Sequence, residues 1–234
     1  MEHSIEVWGD LACFSAPANK VERFSYACPT PSAARGIFDS IYCHPPEFRW
    51  QLNRIEILRV PQYIALRRNE VKEKVSVNAV TKWVAGKEEP YPIVADATEK
   101  DTKGRTQRQT MALSNVRYRM HASICPWRGF EKRKRAFDEQ FQRRINTGKC
   151  FQQPYLGCRE FVAFFSQPTS DDKPVPFTQE LGFMLYDVFD LSKKNTSSCA
   201  PLISMFRATI EDGVLNVPHF SDQAVLKPQV QETS

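Results

Sequence analysis

The decapeptide NVRYRMHASI, residues 115–124, alternates without a break: Val116, Tyr118, Met120, Ala122 and Ile124 are apolar, and Asn115, Arg117, Arg119, His121 and Ser123 are polar. Successive side chains of a β-strand leave it on opposite faces, so the pattern predicts a half-buried strand with a basic outer face. Next in the chain, FEKRKRAFDEQFQRRIN (130–146) sets Phe130, Phe137, Phe141 and Ile145 on one helical stripe, with Lys132, Arg135 and Arg143 turned away and Gly148 as the stop. Upstream, IEVWGDLACF (5–14) reads as a first strand. PTPSAARGIFDSIYCHPP (29–46) reads as a helix capped by Ser32 and closed by Pro45 and Pro46, and FRWQLNRIEILRV (48–60) as another strand. Downstream, GCREFVAFFSQ (157–167) and ELGFMLYDVFDL (180–191) are apolar on both faces, as buried strands are. Then LISMFRATIEDGVLNVP (202–218) predicts a hairpin turning at Asp212-Gly213.

In order, the first six elements spell βαββαβ, the ferredoxin-like split repeat, with two helices on one face of an antiparallel sheet. The expected class is therefore α+β: a ferredoxin-like domain over residues 1–166 and a small C-terminal antiparallel β-sheet domain over 175–220, separated by QPTSDDKPVP (167–176). Residues 61–110 form a polar, weakly periodic excursion of the kind that tends to be functional or mobile. The polar tail from Ser221 is expected to fray.

Composition narrows the function. No apolar run approaches the roughly 18 residues a bilayer span needs, and MEHSIEVWGD carries Glu2, Glu6 and Asp10 where a signal peptide would be basic and then greasy. Seven cysteines without a C-x-x-C pair suggest buried thiols in a reducing cytoplasm rather than a disulfide framework or a zinc site. The nine glycines form neither G-x-G-x-x-G nor a P-loop, and there is no H-E-x-x-H, so no cofactor or metal is expected. Charge is uneven: residues 103–159 carry 14 Lys and Arg against Glu131, Asp138 and Glu139, a net of +11 within a chain of net +5. A polyanion is the natural partner of that segment. A basic, largely β surface with interleaved aromatics suits single-stranded RNA, with cations on phosphates and rings on bases.

Two features carry candidate chemistry. Arg117, Arg119 and His121 stand at alternate positions of one strand, roughly 6.5–7 Å apart, and can track a phosphate backbone; the plainer reading is an ordinary polar strand face. Taken alone, His121 reads first as a surface histidine. Tyr42 falls beside the apolar stripe of its helix and close to the direction of Arg35. It is either a half-buried packing residue or a phenol whose pKa a neighbouring guanidinium lowers, suiting it to remove a proton from a ribose 2′-hydroxyl.

Together, YACPTPSAARGIFDSIYCHPP (26–46), RTQRQTMALSNVRYRMHASI (105–124) and DEQFQRRINTGKCFQQPYLGCREF (138–161) resemble the CRISPR-associated RAMP proteins of the type I-C system, the subtype of the fifth Cas family that processes its own guide RNA. The likeness runs from about residue 3 to 218. It implies a ferredoxin-like RAMP domain with a small C-terminal sheet. It further implies metal-independent cleavage of CRISPR repeat RNA at the 3′ base of its stem-loop. The protein then stays on the crRNA 5′ handle, beside the backbone and large subunits of a Cascade complex. Tyr42 matches the family's catalytic tyrosine. A Lys-His pair found in some members aligns with Ala136 and Phe137, leaving His121, Lys134 and His44 as substitutes. Arg35, Arg117, Arg119, Lys132, Arg135 and Arg143 are the expected RNA contacts. Either the chain cleaves, or it serves as a non-catalytic subunit that binds the handle; duplex DNA is a further ligand such a basic face admits.

Overall fold

The computed structural model describes residues 1–19, 22–71, 74–91, 105–168, 171–194 and 201–228. Its strands are β1 (Glu2–Ala12), β2 (Arg23–Phe24), β3 (Phe48–Ile57), β4 (Gln62–Val71), β5 (Arg105–Pro126), β6 (Phe164–Ser166), β7 (Gln179–Asp187), β8 (Ser204–Glu211) and β9 (Val214–Asn216). The helices are α1 (Pro31–Ile41), α2 (Val77–Val84) and α3 (Lys134–Asn146), the last entered through a 3₁₀ turn at Glu131–Arg133. Among the described residues these strands make one sheet in the order β6-β1-β5-β3-β9-β8-β7, with β2 and β4 also paired to β5. The β1–β5, β1–β6, β3–β5, β3–β9, β7–β8 and β8–β9 ladders are all antiparallel.

The alternating decapeptide is the middle of this sheet. On one face Met120 lies between Ile5 and Ile55, Tyr118 between Val7 and Ile57, and Ala122 between His3 and Leu52. Leu52 and Ile55 are three residues apart and share this face only because the β3–β5 register shifts between Leu52 and Arg54, a bulge that absorbs the odd residue. Both helices cover this face. Phe38 of α1 and Phe141 of α3 meet Trp50 of β3 with ring centroids 4.9 and 4.6 Å away, and Phe48 meets Phe137 at 5.0 Å. Trp50, Phe38, Phe48, Phe137 and Phe141 are all buried. At about 1.5–3 kcal/mol for a large buried side chain, this aromatic cluster is a principal tie between helices and sheet.

Local rules explain the element ends. Thr30, not Ser32, caps α1: its Oγ1 accepts the Ala33 N–H at 3.2 Å, and Pro31 stands at the first helical position, where no N–H is needed. The helix stops at Ile41, before the prolines expected to close it. Gly148, at φ +65°, follows α3 as expected. GCREFVAFFSQ pairs with β1 only over Phe164–Ser166; its first half folds into a loop closed by Leu156 N–H to the Phe161 carbonyl at 2.7 Å. The hairpin turns at Asp212 (φ +47°) and Gly213 (φ +78°), the left-handed pair that a two-residue turn between twisted strands requires.

The contacts separate Met1–Ile64 with Met111–Ser234 from Ala65–Thr110. Within the second unit, α2 leaves Val77, Val80 and Val84 exposed, and Trp83 meets Tyr91 edge-on at 5.1 Å. The excursion thus contains regular structure, while its residues 72–73 and 92–104 lie outside the described set, as do Cys199 and the tail 229–234. The described part of the tail is tied down rather than frayed: Val225 is buried, and Leu226 exchanges two backbone hydrogen bonds with Met205 at 2.7 and 3.0 Å.

Candidate active site

Tyr42 follows the last residue of α1 with extended angles, φ −148° and ψ 113°, while its N–H still bonds the Phe38 carbonyl at 2.9 Å. Its own carbonyl accepts the Trp50 indole N–H at 2.9 Å, pinning the helix end to β3. The ring packs 5.2 Å from Phe48 and is 9% exposed. Because Tyr42 has left the helix, projecting it at 100° per residue misplaces its neighbours. The cation over its ring is Arg144 of α3, at 5.3 Å, whose guanidinium also donates to the Ile41 carbonyl at 2.7 Å. Arg35 is engaged elsewhere, held by Asp187 at 2.7 and 3.1 Å and by Asp39 at 2.7 Å.

The turn after Tyr42 is clamped. Trp127 donates its backbone N–H to the Glu47 carbonyl and its indole N–H to the Pro45 carbonyl, each at 2.8 Å. The Glu47 carboxylate pairs with Arg133 and lies 3.6 Å from Nδ1 of His44, an exposed side chain. Burial, and then the Glu47 charge, raise the Tyr42 pKa above that of a free phenol; Arg144, Arg133 and Arg143 pull the other way and do not overcome them. This reverses the expected lowering. At neutral pH the group is a phenol, a proton donor rather than a ready base.

The row on β5 lies on the other face of the sheet. Arg119 stands between Glu6 and Glu56, and His121 between Ser4 and Arg54, so these side chains share the face opposite the helices, and with it opposite Tyr42. Nor is the row bare. Arg117 reaches Glu6 at 2.5 Å and Asp172 at 2.7 Å; Arg119 reaches Glu6 at 2.8 Å and Glu56 at 3.0 Å. His121, 6% exposed, has Nε2 3.0 Å from Glu56, and its pKa is lowered by burial and by Arg54. The basic face read from alternation is a half-buried ion-pair network centred on the buried Glu6. Accordingly, Arg119→Glu, which sets a third carboxylate against Glu6 and Glu56, should cost about 3–5 kcal/mol of stability, seen as a fall in Tm. By contrast Arg135→Glu, at a 90% exposed side chain, should leave stability within about 0.5 kcal/mol of the parent.

The remaining expected residues divide by exposure. Lys132, Arg135 and Arg143 are exposed along the start and outer side of α3. Lys134 is half-exposed, with Nζ donating to the Ile124 carbonyl at 2.8 Å and 3.7 Å from Asp138. Phe137 is 2% exposed and sits under Arg133, so the helix keeps its second Lys-His position in the core. Sequence reading missed Arg133, Arg144 and Glu47. Arg133 and Arg144 are eleven residues apart, three helical turns, which places them on one flank facing the end of α1. It also missed His3, a buried residue whose Nε2 meets Asp138 at 2.7 Å beside Trp50 and Phe141, with its pKa lowered chiefly by burial. Among the described residues no group of three His, Cys, Asp or Glu side chains is disposed to hold a metal ion.

Residues 4–218 match the family described as CRISPR-associated protein (Cas_Cas5). A relative from Mannheimia succiniciproducens, described as CRISPR pre-crRNA endoribonuclease Cas5d, is 36% identical over 231 residues, covering 94% of this chain and 96% of that one. A Thermus thermophilus relative of the same description is 36% identical over 226 residues, covering 92% and 90%. A crystal structure described as a CRISPR-associated protein shares the fold at a TM-score of 0.62 and 17% identity, over 97% of this chain and 96% of that one.

Proposed function

The chain belongs to the Cas5d family of CRISPR-associated proteins, and on that premise we propose that it is an endoribonuclease that cuts CRISPR repeat RNA at the base of its stem-loop and stays on the 5′ handle within a Cascade complex. The observation that carries the site is the meeting at one helix end of a phenol, Tyr42, a cation over its ring, Arg144, and an exposed imidazole next to a carboxylate, His44 and Glu47. The strand order β6-β1-β5-β3, with α1 after β1 and α3 after β5, supports reading this body as the ferredoxin-like repeat.

The chemistry follows from those groups. His44, held toward Glu47, takes the proton of a ribose 2′-hydroxyl; the oxygen attacks the adjacent phosphorus, and the bond to the 5′-oxygen breaks. Tyr42 gives its phenolic proton to that departing oxygen. Arg144 and Arg133 offset the negative charge that builds on the phosphorane. The products are a 2′,3′-cyclic phosphate and a 5′-hydroxyl, and no metal takes part. Cleavage should therefore persist in EDTA with those end groups, as read by enzymatic end-labelling. The pH profile separates donor from base. With Tyr42 as donor, the rate holds through neutral pH and falls only as pH climbs past the raised phenol pKa; with Tyr42 as base, it climbs tenfold per pH unit through the alkaline range.

A second reading, a non-catalytic subunit that binds the handle, is favoured by the burial of Phe137 where some members carry histidine. It predicts tight, salt-sensitive binding of the repeat with no product at any enzyme excess.

A further inference from the structure

A cleft of about 590 Å³ runs along α1, away from Tyr42. Its floor is the helix itself, through Ser32, Ala33, Gly36 and Ser40; its far wall is the loop 155–160, and Arg23 stands at its edge. The volume lies within the roughly 300–1,000 Å³ of small-molecule sites. Small side chains on the floor leave the helix backbone approachable, and a Cβ added at Gly36 would meet nothing within 4 Å. The loop wall is fixed to the residue that follows β1 by Cys13 N–H to the Leu156 carbonyl at 3.0 Å.

The polar groups in the cleft point to one class of ligand. Arg159 is exposed and, among the described residues, makes no ion pair or hydrogen bond. Arg23 is aimed across the cleft by a bond to the Cys158 thiol at 3.3 Å and lies 3.8 Å from Glu160. The Ser32 and Tyr155 hydroxyls likewise have no partner among the described residues. The first turn of α1 carries no acidic residue to neutralise its positive end, which opens here. Two guanidinia beside a helix start suit a phosphate, and neutral hydroxyls over a half-enclosed space suit a sugar and the edge of a base. A paired base cannot enter such a space, whereas a base splayed from a single strand can.

We propose that this cleft holds one unpaired nucleotide of the strand flanking the repeat hairpin, its phosphate against Arg159 and Arg23 and its base edge within reach of Ser32 and Tyr155. This rests on the RNA-binding reading and adds to it a site that grips the flank rather than the stem.

The test is fluorescence anisotropy with two RNAs: the repeat hairpin with its single-stranded flanks, and the same hairpin trimmed to its stem-loop. The parent chain should prefer the flanked RNA by about tenfold. Gly36→Leu, which fills the cleft from a helical position with open space above it, and Arg159→Ala should each abolish that preference and leave stem-loop affinity unchanged. Gly36→Ala should keep it, and Tm for all three variants reports folding. Parent-like preference in a folded Gly36→Leu chain overturns the assignment. So does an equal loss on both RNAs, which places the stem in the cleft. A parent chain that binds neither RNA fails the RNA reading itself, a result distinct from the other two.

Discussion

Tyr42→Phe is expected to bind repeat RNA as tightly as the parent chain and to cut it about 10²–10⁴-fold more slowly, the usual contribution of a positioned proton-transfer group. The substitution is narrow because the ring contacts survive: Phe48 at 5.2 Å and the Arg144 guanidinium at 5.3 Å both meet carbon, and the carbonyl that accepts the Trp50 N–H belongs to the backbone. Among the described residues the hydroxyl has no hydrogen-bond partner, so its loss should leave stability within about 0.5 kcal/mol of the parent. Single-turnover cleavage in EDTA, with affinity measured on the same RNA, separates the outcomes. A full-rate Tyr42→Phe chain removes the phenol from the chemistry. Equal losses in affinity and rate assign it to binding. His44→Ala supplies the complement: with the imidazole acting as the base, its removal lowers the cleavage rate while leaving RNA affinity unchanged.

Much of the architecture was legible because it depends on local periodicity. The alternation of residues 115–124 does mark a central strand with one buried face, and the apolar spacing of α3 does put Phe137, Phe141 and Ile145 inside. Asp212-Gly213 turns the hairpin, since left-handed angles at two successive positions select few residues. The failures share a different cause. Arg117 and Arg119 look like a bare cationic row until Glu6, more than a hundred residues away, is laid against them by the β1–β5 register. No pattern within β5 announces that pairing. Thr30 and Ser32 are both competent caps, and only the observed geometry chooses between them.

The site was legible in identity and not in environment. Tyr42 could be singled out from its residue type, its place at a helix end and a family likeness. Its electrostatics could not, because they are set first by burial against the folded core and then by charges from a turn, Glu47, and from another helix, Arg144 and Arg133. A single extended residue at position 42 redirects the phenol from Arg35 toward α3, while burial and then the Glu47 charge raise its pKa.

A large loss of stability should come from Trp50→Ala. The indole is fully buried and lies 4.6 Å from Phe141, 4.9 Å from Phe38, 6.0 Å from Phe48 and 5.9 Å from His3, so truncation empties the space on which both helices meet the sheet. Removing a buried tryptophan costs about 3–5 kcal/mol, a large share of the 5–15 kcal/mol that holds a typical domain. Urea unfolding should show the midpoint falling steeply. Trp50→Phe isolates a second effect. It retains most of the apolar contact but leaves the Tyr42 carbonyl without its N–H donor, a cost of about 1–3 kcal/mol for a buried group left unpaired. That hydrogen bond sets where the chain leaves α1, and therefore where the phenol points. A folded Trp50→Phe chain should accordingly lose more in cleavage rate than in RNA affinity. Unchanged cleavage in that variant would mean that Trp127 and Arg133, which clamp the turn through residues 45–47, are sufficient to aim Tyr42 without help from the sheet.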